Sequence, residues 1–272
     1  MLPRAIFCDM DDTFLFTNKE VPAQNLAAID ALATRGVEFV PSSGRGLGAM
    51  PPEVVHHPAV RYVISSVGAV VTDVREGRTL LERFMSAQSI LALYEAVRDV
   101  ECTFDVFCGV SILCERERYD RLPMLGLDEP TLAVLQDMRT PFDGSLADVM
   151  RTQRVQKVSL WFRHVADQQR VARLAEADPR IAWAASHPQN IEMTDASSTK
   201  GTGMAWLCDH LGIDVADTMA FGDSGNDVTM LEAAGVGVAM GNAPDDVKAA
   251  ADDVAGRNDD CGFATYVRAL LA

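Results

Sequence analysis

Short apolar runs alternate with segments whose apolar positions recur every three or four residues, first from Ala5 and again after Glu192. Runs of four or five such residues read as buried strands, and the longer spacing reads as helix. Strands are predicted at Ala5 to Cys8, Val37 to Val40, Tyr62 to Ile64, Thr218 to Phe221 and Val236 to Ala239. Val21-Pro22 opens a helix whose apolar face is Leu26, Ile29, Leu32 and Ala33, and Gly36 closes it. Helices over Lys200 to Leu211 and Val228 to Ala233 stop at Gly212 and Gly235, and Ala243 to Ala255 reads as a surface helix and a short strand. Strand and helix in alternation predict an α/β fold, a parallel sheet with crossover helices.

The middle of the chain has another rhythm. A helix near Ser86 to Val97 precedes strands around Cys102 to Phe107 and Val110 to Cys114, joined by a turn at Gly109. Helices follow near Glu115 to Leu122 and Thr131 to Met138, then a strand at Val155 to Phe162, a helix over Ala166 to Ala177, and strands near Ile181 to Ala185 and Ile191 to Thr194. This grouping predicts a second, smaller α+β domain over residues 84–191, inserted into a discontinuous core of residues 1–83 and 192–272. A length of 272 residues suits two domains.

Composition narrows the partners. A formal charge of -15 argues against nucleic acid, whose affinity for proteins comes from clustered Lys and Arg. No signal segment opens the chain and no apolar stretch approaches the ~18 residues of a membrane span, so a cytoplasmic protein is expected, with no membrane and no obligate protein partner. The six cysteines lack Cys-x-x-Cys or zinc spacing and are expected to be reduced thiols.

Candidate chemistry gathers where the predicted strands end. Asp9-Met10-Asp11-Asp12-Thr13 follows the first strand, placing Asp9 as a possible nucleophile and Asp11 as a possible proton donor at the carboxyl edge of the sheet. Ser42-Ser43-Gly44-Arg45 follows the second, Ser198-Thr199-Lys200-Gly201 opens a helix, and Gly222-Asp223-Ser224-Gly225-Asn226-Asp227 follows the run from Thr218. No G-x-x-x-x-G-K-[ST] loop exists, which speaks against nucleotide kinase chemistry.

This ordered set resembles the four motifs of the haloacid dehalogenase (HAD) superfamily of phosphohydrolases, and Ala239-Met240-Gly241-Asn242-Ala243 resembles its Cof-like branch. The resemblance runs from Ala5 to the C-terminal helix. It implies a Rossmann-like, HAD-like core with an inserted α/β cap, and a phosphatase that hydrolyses phosphate monoesters of small metabolites such as sugar phosphates, nucleotides or phosphorylated cofactors. A phosphomannomutase-like phosphotransferase and a non-catalytic sensor of a phosphorylated ligand are the alternatives.

Asp9 would attack phosphorus to give an aspartyl-phosphate. Asp11 would protonate the leaving group and then activate water, which asks for a pKa raised above the ordinary ~3.9. Asp9, Asp223 and Asp227 beside a phosphate repel one another and call for a divalent cation, and hard oxygen ligands select Mg2+. By resemblance its ligands are the carboxylates of Asp9 and Asp223 and the carbonyl of Asp11, with Asp227 orienting a bound water. Lys200 would hold Asp9 and the phosphoryl group. Ser43, the amide near Gly44, and Asn226 would bind phosphate, Asn226 with Lys200 as its other possible partner. Arg45, Trp161, Arg163, His164 and His187 are candidates for substrate contact, although packing or surface exposure is the commoner fate of such aromatics and histidines. One departure stands out. Where the branch commonly has Asn-Gly-Ala, this chain has Val67-Gly68-Ala69, and Val67 supplies no side-chain amide.

Overall fold

The computed structural model describes residues 2–109 and 111–272, so the start of the strand predicted from Val110 lies outside the described residues. The chain divides into two compact units, residues 1–81 with 199–272, and residues 82–198. The sequence reading placed these boundaries at 83/84 and 191/192. The later return has a physical reason: the strand Asn190–Asp195 is hydrogen-bonded along its length to the sheet of the inserted unit, through Thr194 paired with Lys157.

The first unit begins with β1 (Ala5–Cys8), α1 (Ala23–Thr34), β2 (Glu38–Pro41), the short α2 (Pro52–Val55) and β3 (Tyr62–Ser65). The strands β4 (Val70–Asp73) and β5 (Arg78–Glu82), which periodicity did not reveal, extend β3 into a separate three-stranded sheet. The inserted unit comprises α3 (Ala87–Ala96), β6 (Asp105–Cys108), β7 (Ser111–Glu115), α4 (Arg116–Asp120), α5 (Glu129–Met138), β8 (Thr140–Phe142), α6 (Leu146–Thr152), β9 (Lys157–Trp161), α7 (Val165–Glu176), β10 (Ile181–Ala184) and β11 (Asn190–Asp195). The chain then returns to the first unit with α8 (Lys200–Leu211), β12 (Thr218–Gly222), α9 (Val228–Ala233), β13 (Val236–Ala239), α10 (Asp245–Ala249), β14 (Asp253–Val254) and α11 (Gly262–Leu271).

The first unit is built on a five-stranded sheet in the order β14-β13-β12-β1-β2, parallel throughout. Strand β1 alternates between two cores: Ile6 and Cys8 join the layer of α1 and α11, and Ala5 and Phe7 join that of α8 and α9. Burial on both faces is why these strands read as unbroken apolar runs. Under the first layer Phe14, Phe39 and Phe221 each lie 5.1–5.6 Å, centroid to centroid, from Phe263 of α11, in tilted or edge-on geometry. In α1 the buried positions include Ala28, Ile29 and Leu32, whereas Ala33, predicted on the apolar face, is exposed.

The inserted unit carries a six-stranded sheet in the order β10-β11-β9-β6-β7-β8. Val106, Val158, Leu160, Ile191 and Met193 on one face join a single core with Ile90, Leu93, Leu146, Val149 and Val171 of α3, α6 and α7. The alternate residues are polar yet buried, and two ion pairs neutralise them: Asp105 with Arg139, and Lys157 with Glu192. Among the described residues of either unit, no helix is long and apolar enough to cross a membrane.

One close approach fixes where α8 begins. A Cβ on Gly201 would lie 2.2 Å from the Thr229 carbonyl oxygen of α9, so only glycine lets the two helices meet there. Gly201→Ala is expected to destabilise the protein by about 1–3 kcal/mol through overpacking, read as a lower urea midpoint at unchanged slope.

Candidate active site

Because the five strands run parallel, their carboxyl ends share one edge, and β1 lies between β2 and β12. Asp9 leaves β1, Ser42 and Ser43 leave β2, and Asp223 leaves β12 on that edge. This is the crevice at which open α/β sheets bind ligands. The polar turn after β1 is tightly held. Asp12 takes a left-handed conformation at φ 58°, and the amides of Phe14 and Leu15 bond back to the carbonyls of Asp9 and Met10.

Lys200 is the first residue of α8 and is wholly buried. A cation there opposes the helix dipole, so it needs carboxylates. Nζ donates to Asp227 Oδ1 at 2.6 Å and to Asp9 Oδ1 in a second ion pair. Thr199 caps α8 by accepting from the Thr202 amide while the Thr202 hydroxyl accepts from the Thr199 amide, which fixes where the helix, and so Lys200, starts. Burial depresses the Lys200 pKa, but Asp227 and Asp9 outweigh it and hold the ammonium well above the ordinary lysine range.

The Asp227 side chain does not cap the following helix; its Oδ2 accepts from the amides of Asp223 and Ser224, each at 3.0 Å, and thus closes the loop on itself. Gly222 permits this, since a Cβ there would fall 2.4 Å from that of Asp227. Asn226 is buried in the same loop, its Oδ1 accepting from the Ser224 hydroxyl at 3.1 Å. Thr13 of the first motif donates to Asp223 Oδ1 at 2.7 Å, tying the turn after β1 to the loop after β12.

Asp9, Asp223 and Asp227 each offer a carboxylate oxygen within 4.8 Å of the others, the single group of this kind among the described residues. Their surplus charge is evident in the titration directions. Burial first, then neighbouring aspartates, raises Asp9 in spite of Lys200. Burial and the charge of Asp227 push Asp223 up to about 8, with the Thr13 hydrogen bond opposing. Buried oxygens held close and short of positive charge are the donor set of a hard divalent cation, and the cluster fits one.

Asp11 corrects the sequence reading, which asked for a raised pKa. Burial does raise it, but Arg45 outweighs burial and lowers the carboxyl below its ordinary value. Arg45 grips both oxygens, Nε to Oδ2 at 2.8 Å and Nη2 to Oδ1 at 2.6 Å, with Lys19 Nζ 3.5 Å from Oδ1. Arg45, a candidate for substrate contact, is therefore occupied by Asp11. Ser43 is buried, and its Oγ accepts from the Arg45 amide at 3.1 Å across the bend at Gly44.

Val67 sits in the left-handed region at φ 56°, ψ 36°, a conformation asparagine tolerates and a β-branched side chain resists. Its amide donates to the Ser43 carbonyl, and Gly68 packs so closely on Thr199 that a Cβ would lie 2.0 Å from that carbonyl oxygen. The turn therefore bridges the second motif and the start of α8.

The remaining candidates lie in the inserted unit. Arg163 and His164 both face Glu101, at 3.0 and 3.5 Å, on an exposed surface, and Trp161 packs against the His187 ring with centroids 5.4 Å apart. Sequence reasoning missed Asn242 and Asn258 as supports. Asn242 Nδ2 donates to the Asp12 carbonyl at 2.8 Å and its Oδ1 accepts from the Asn258 amide, while Asn258 Nδ2 donates to the Leu15 carbonyl. The available signal was the segment Ala239-Met240-Gly241-Asn242-Ala243, which carries Asn242.

Comparison with known proteins now adds to this geometry. The sequence model of the haloacid dehalogenase-like hydrolases matches residues 6–267. The chain belongs to that family. It is 28% identical to Phosphatase YwpJ of Bacillus subtilis over 98% of this chain and 100% of that protein. It is 27% identical to the HMP-PP phosphatase of Cronobacter sakazakii over 86% of this chain and 83% of that protein. The structure of a haloacid dehalogenase-like hydrolase from B. subtilis superposes with a TM-score of 0.84 at 26% identity, covering 98% of this chain and 99% of that one. The chain is an enzyme, a phosphate monoester hydrolase, with a carboxylate cluster able to bind a divalent metal.

The pH dependence of the metal-free protein follows from Asp223. Its folded pKa lies above the unfolded value, so the folded state holds more protons between about 4 and about 8 and loses stability as pH rises through that window. Thermal unfolding in chelator is expected to show the midpoint falling across this range, and an added divalent cation is expected to raise it most at the alkaline end.

Proposed function

We propose that the chain is a magnesium-dependent phosphatase of small phosphorylated metabolites, working through an aspartyl-phosphate on Asp9. The observation that carries the reading is the convergence of Asp9, Asp227 and Lys200, residues far apart in sequence, into one buried ion-paired group beside Asp223. A structural core would gain more from apolar side chains than from such a cluster.

Asp9, whose carboxylate is ion-paired with Lys200, acts as nucleophile. Its carboxylate oxygen forms a bond to phosphorus as the ester P–O bond breaks, and the electron pair on the departing oxygen takes a proton from Asp11, which carries one only after it has left the Arg45 fork. Water then gives a proton to Asp11 and bonds to phosphorus, the bond to Asp9 breaks, and inorganic phosphate leaves with the Asp9 carboxylate restored. Lys200 binds the transferring oxygens, and the Ser43 hydroxyl, the amide near Gly44 and Asn226 orient them. Mg2+, held by the carboxylates of Asp9 and Asp223 and the carbonyl of Asp11, would supply positive charge to the phosphoryl oxygens. Asp227, with both oxygens engaged, holds Lys200 and the metal-binding loop in place. We assign selection of the leaving group to the inserted unit, residues 82–198, as a cap.

A phosphate-release screen over sugar phosphates, nucleotides and phosphorylated cofactors tests this. Activity should require Mg2+, and Asp9→Asn should lose at least about 1,000-fold in kcat while keeping the native circular dichroism spectrum. Phosphoryl transfer between hydroxyls without phosphate release would indicate a mutase, and tight binding without turnover a sensor.

A further inference from the structure

We propose that Arg45 reads a second anionic group of the substrate, a carboxylate or phosphate other than the phosphoryl being transferred, and that this group replaces Asp11 on the guanidinium. The inference rests on the phosphatase reading and adds the chemistry of the leaving group to it.

Both Asp11 oxygens are taken up by Arg45 in a two-pronged pair, and Lys19 stands behind one of them. In that fork both oxygens of Asp11 accept from the guanidinium, whereas a general acid must turn an O–H toward the leaving oxygen within hydrogen-bond reach. The fork must therefore open in each turnover.

Arg45 is poorly placed to follow Asp11. Nη1 donates to the Ala49 carbonyl at 3.0 Å, the Arg45 amide donates to Ser43 Oγ, and its carbonyl accepts from the Ser66 amide at 2.9 Å. The side chain is only 13% exposed, and stripping a largely buried guanidinium of its carboxylate is strongly unfavourable. An incoming anion of similar shape removes that penalty, and the planar fork accepts carboxylate and phosphate alike. The transferred phosphoryl faces Asp9, where Lys200 meets it. Arg45 is instead paired with the carboxyl that serves the leaving oxygen, so the anion it exchanges for belongs to the leaving group.

The test uses matched esters that differ only by a carboxylate: phosphoglycolate against 2-hydroxyethyl phosphate, 3-phosphoglycerate against glycerol 3-phosphate, and 6-phosphogluconate against sorbitol 6-phosphate. In at least one pair the native enzyme should favour the acid by about tenfold or more in kcat/KM, and Arg45→Ala should bring that ratio to within about threefold of one. Arg45→Lys, which keeps the charge without the fork, should fall between and covers the case in which the alanine variant does not fold. A ratio near one in every pair, or a preference that survives both substitutions, overturns the proposal. Calorimetric titration of the Mg2+-loaded protein with phosphonoacetate and with 2-hydroxyethylphosphonate reads the same discrimination without turnover. Failure to hydrolyse any ester, p-nitrophenyl phosphate included, would sink the phosphatase reading alone. In that case the calorimetric preference for phosphonoacetate, and its loss in Arg45→Ala, still decides the role of Arg45.

Discussion

The site depends on one buried ammonium. Lys200 is wholly enclosed at a helix start, where the dipole disfavours a cation, and Asp9 and Asp227 make it tolerable. The dependence runs both ways, because neither carboxylate has another cationic side chain as an ion-pair partner among the described residues. Removing one member of such a group typically costs about 3–5 kcal/mol, a large part of a domain's stability. The contact also joins distant parts of the chain: Asp9 after β1 meets the lysine that opens α8 although the 117 residues of the inserted unit stand between them in sequence.

Positive charge is shared unevenly among Asp9, Asp11, Asp223 and Asp227. Lys200 serves Asp9 and Asp227, and Arg45 with Lys19 serves Asp11. Asp223 has the Thr13 hydroxyl, a neutral donor, and it is pushed up to about 8. A hydroxyl orients a carboxylate without neutralising it, so the deficit is centred on Asp223 and shared with Asp9 across a few ångströms. That deficit, more than the number of acidic residues, is what makes the cluster fit for a divalent cation.

Much of this was legible in the sequence, for reasons that can be named. Apolar runs ending in aspartate or serine mark strands whose carboxyl ends face a crevice, which is why Asp9, Ser43 and Asp223 could be placed beforehand. Thr199 and Gly212 frame α8 with a cap and a stop, and its limits at Lys200 and Leu211 were read correctly. Other features left no local trace. β4 is a short strand just after the tight turn at Ser66 to Gly68, β5 has no fully buried residue, and β8 contains Pro141, which argues against a strand on propensity alone. The left-handed backbone of Val67 contradicts the preference of its own side chain and so is set by its surroundings. The pairing of Asp11 with Arg45 spans 34 residues, and no spacing rule connects such positions. Reading Asp11 alone gave a proton donor of raised pKa; the guanidinium beside it reverses the direction.

The two ion-paired groups of the site differ in what they can do during a reaction. Lys200 and Asp227 are sealed from solvent, and Asp227 is further held by two loop amides, so this half has no room to exchange partners. Asp11 is 35% exposed on a turn whose backbone is pinned from behind by Asn242 through the Asp12 carbonyl. Its side chain can swing while its main chain stays. Water and substrate can reach Asp11, whereas Arg45 on the other side of the pair is largely enclosed and keeps its need for an anion. The proposed mechanism needs both properties, a fixed nucleophile and an acid that can change position between two displacements, and the burial of Asp9 against the partial exposure of Asp11 matches them.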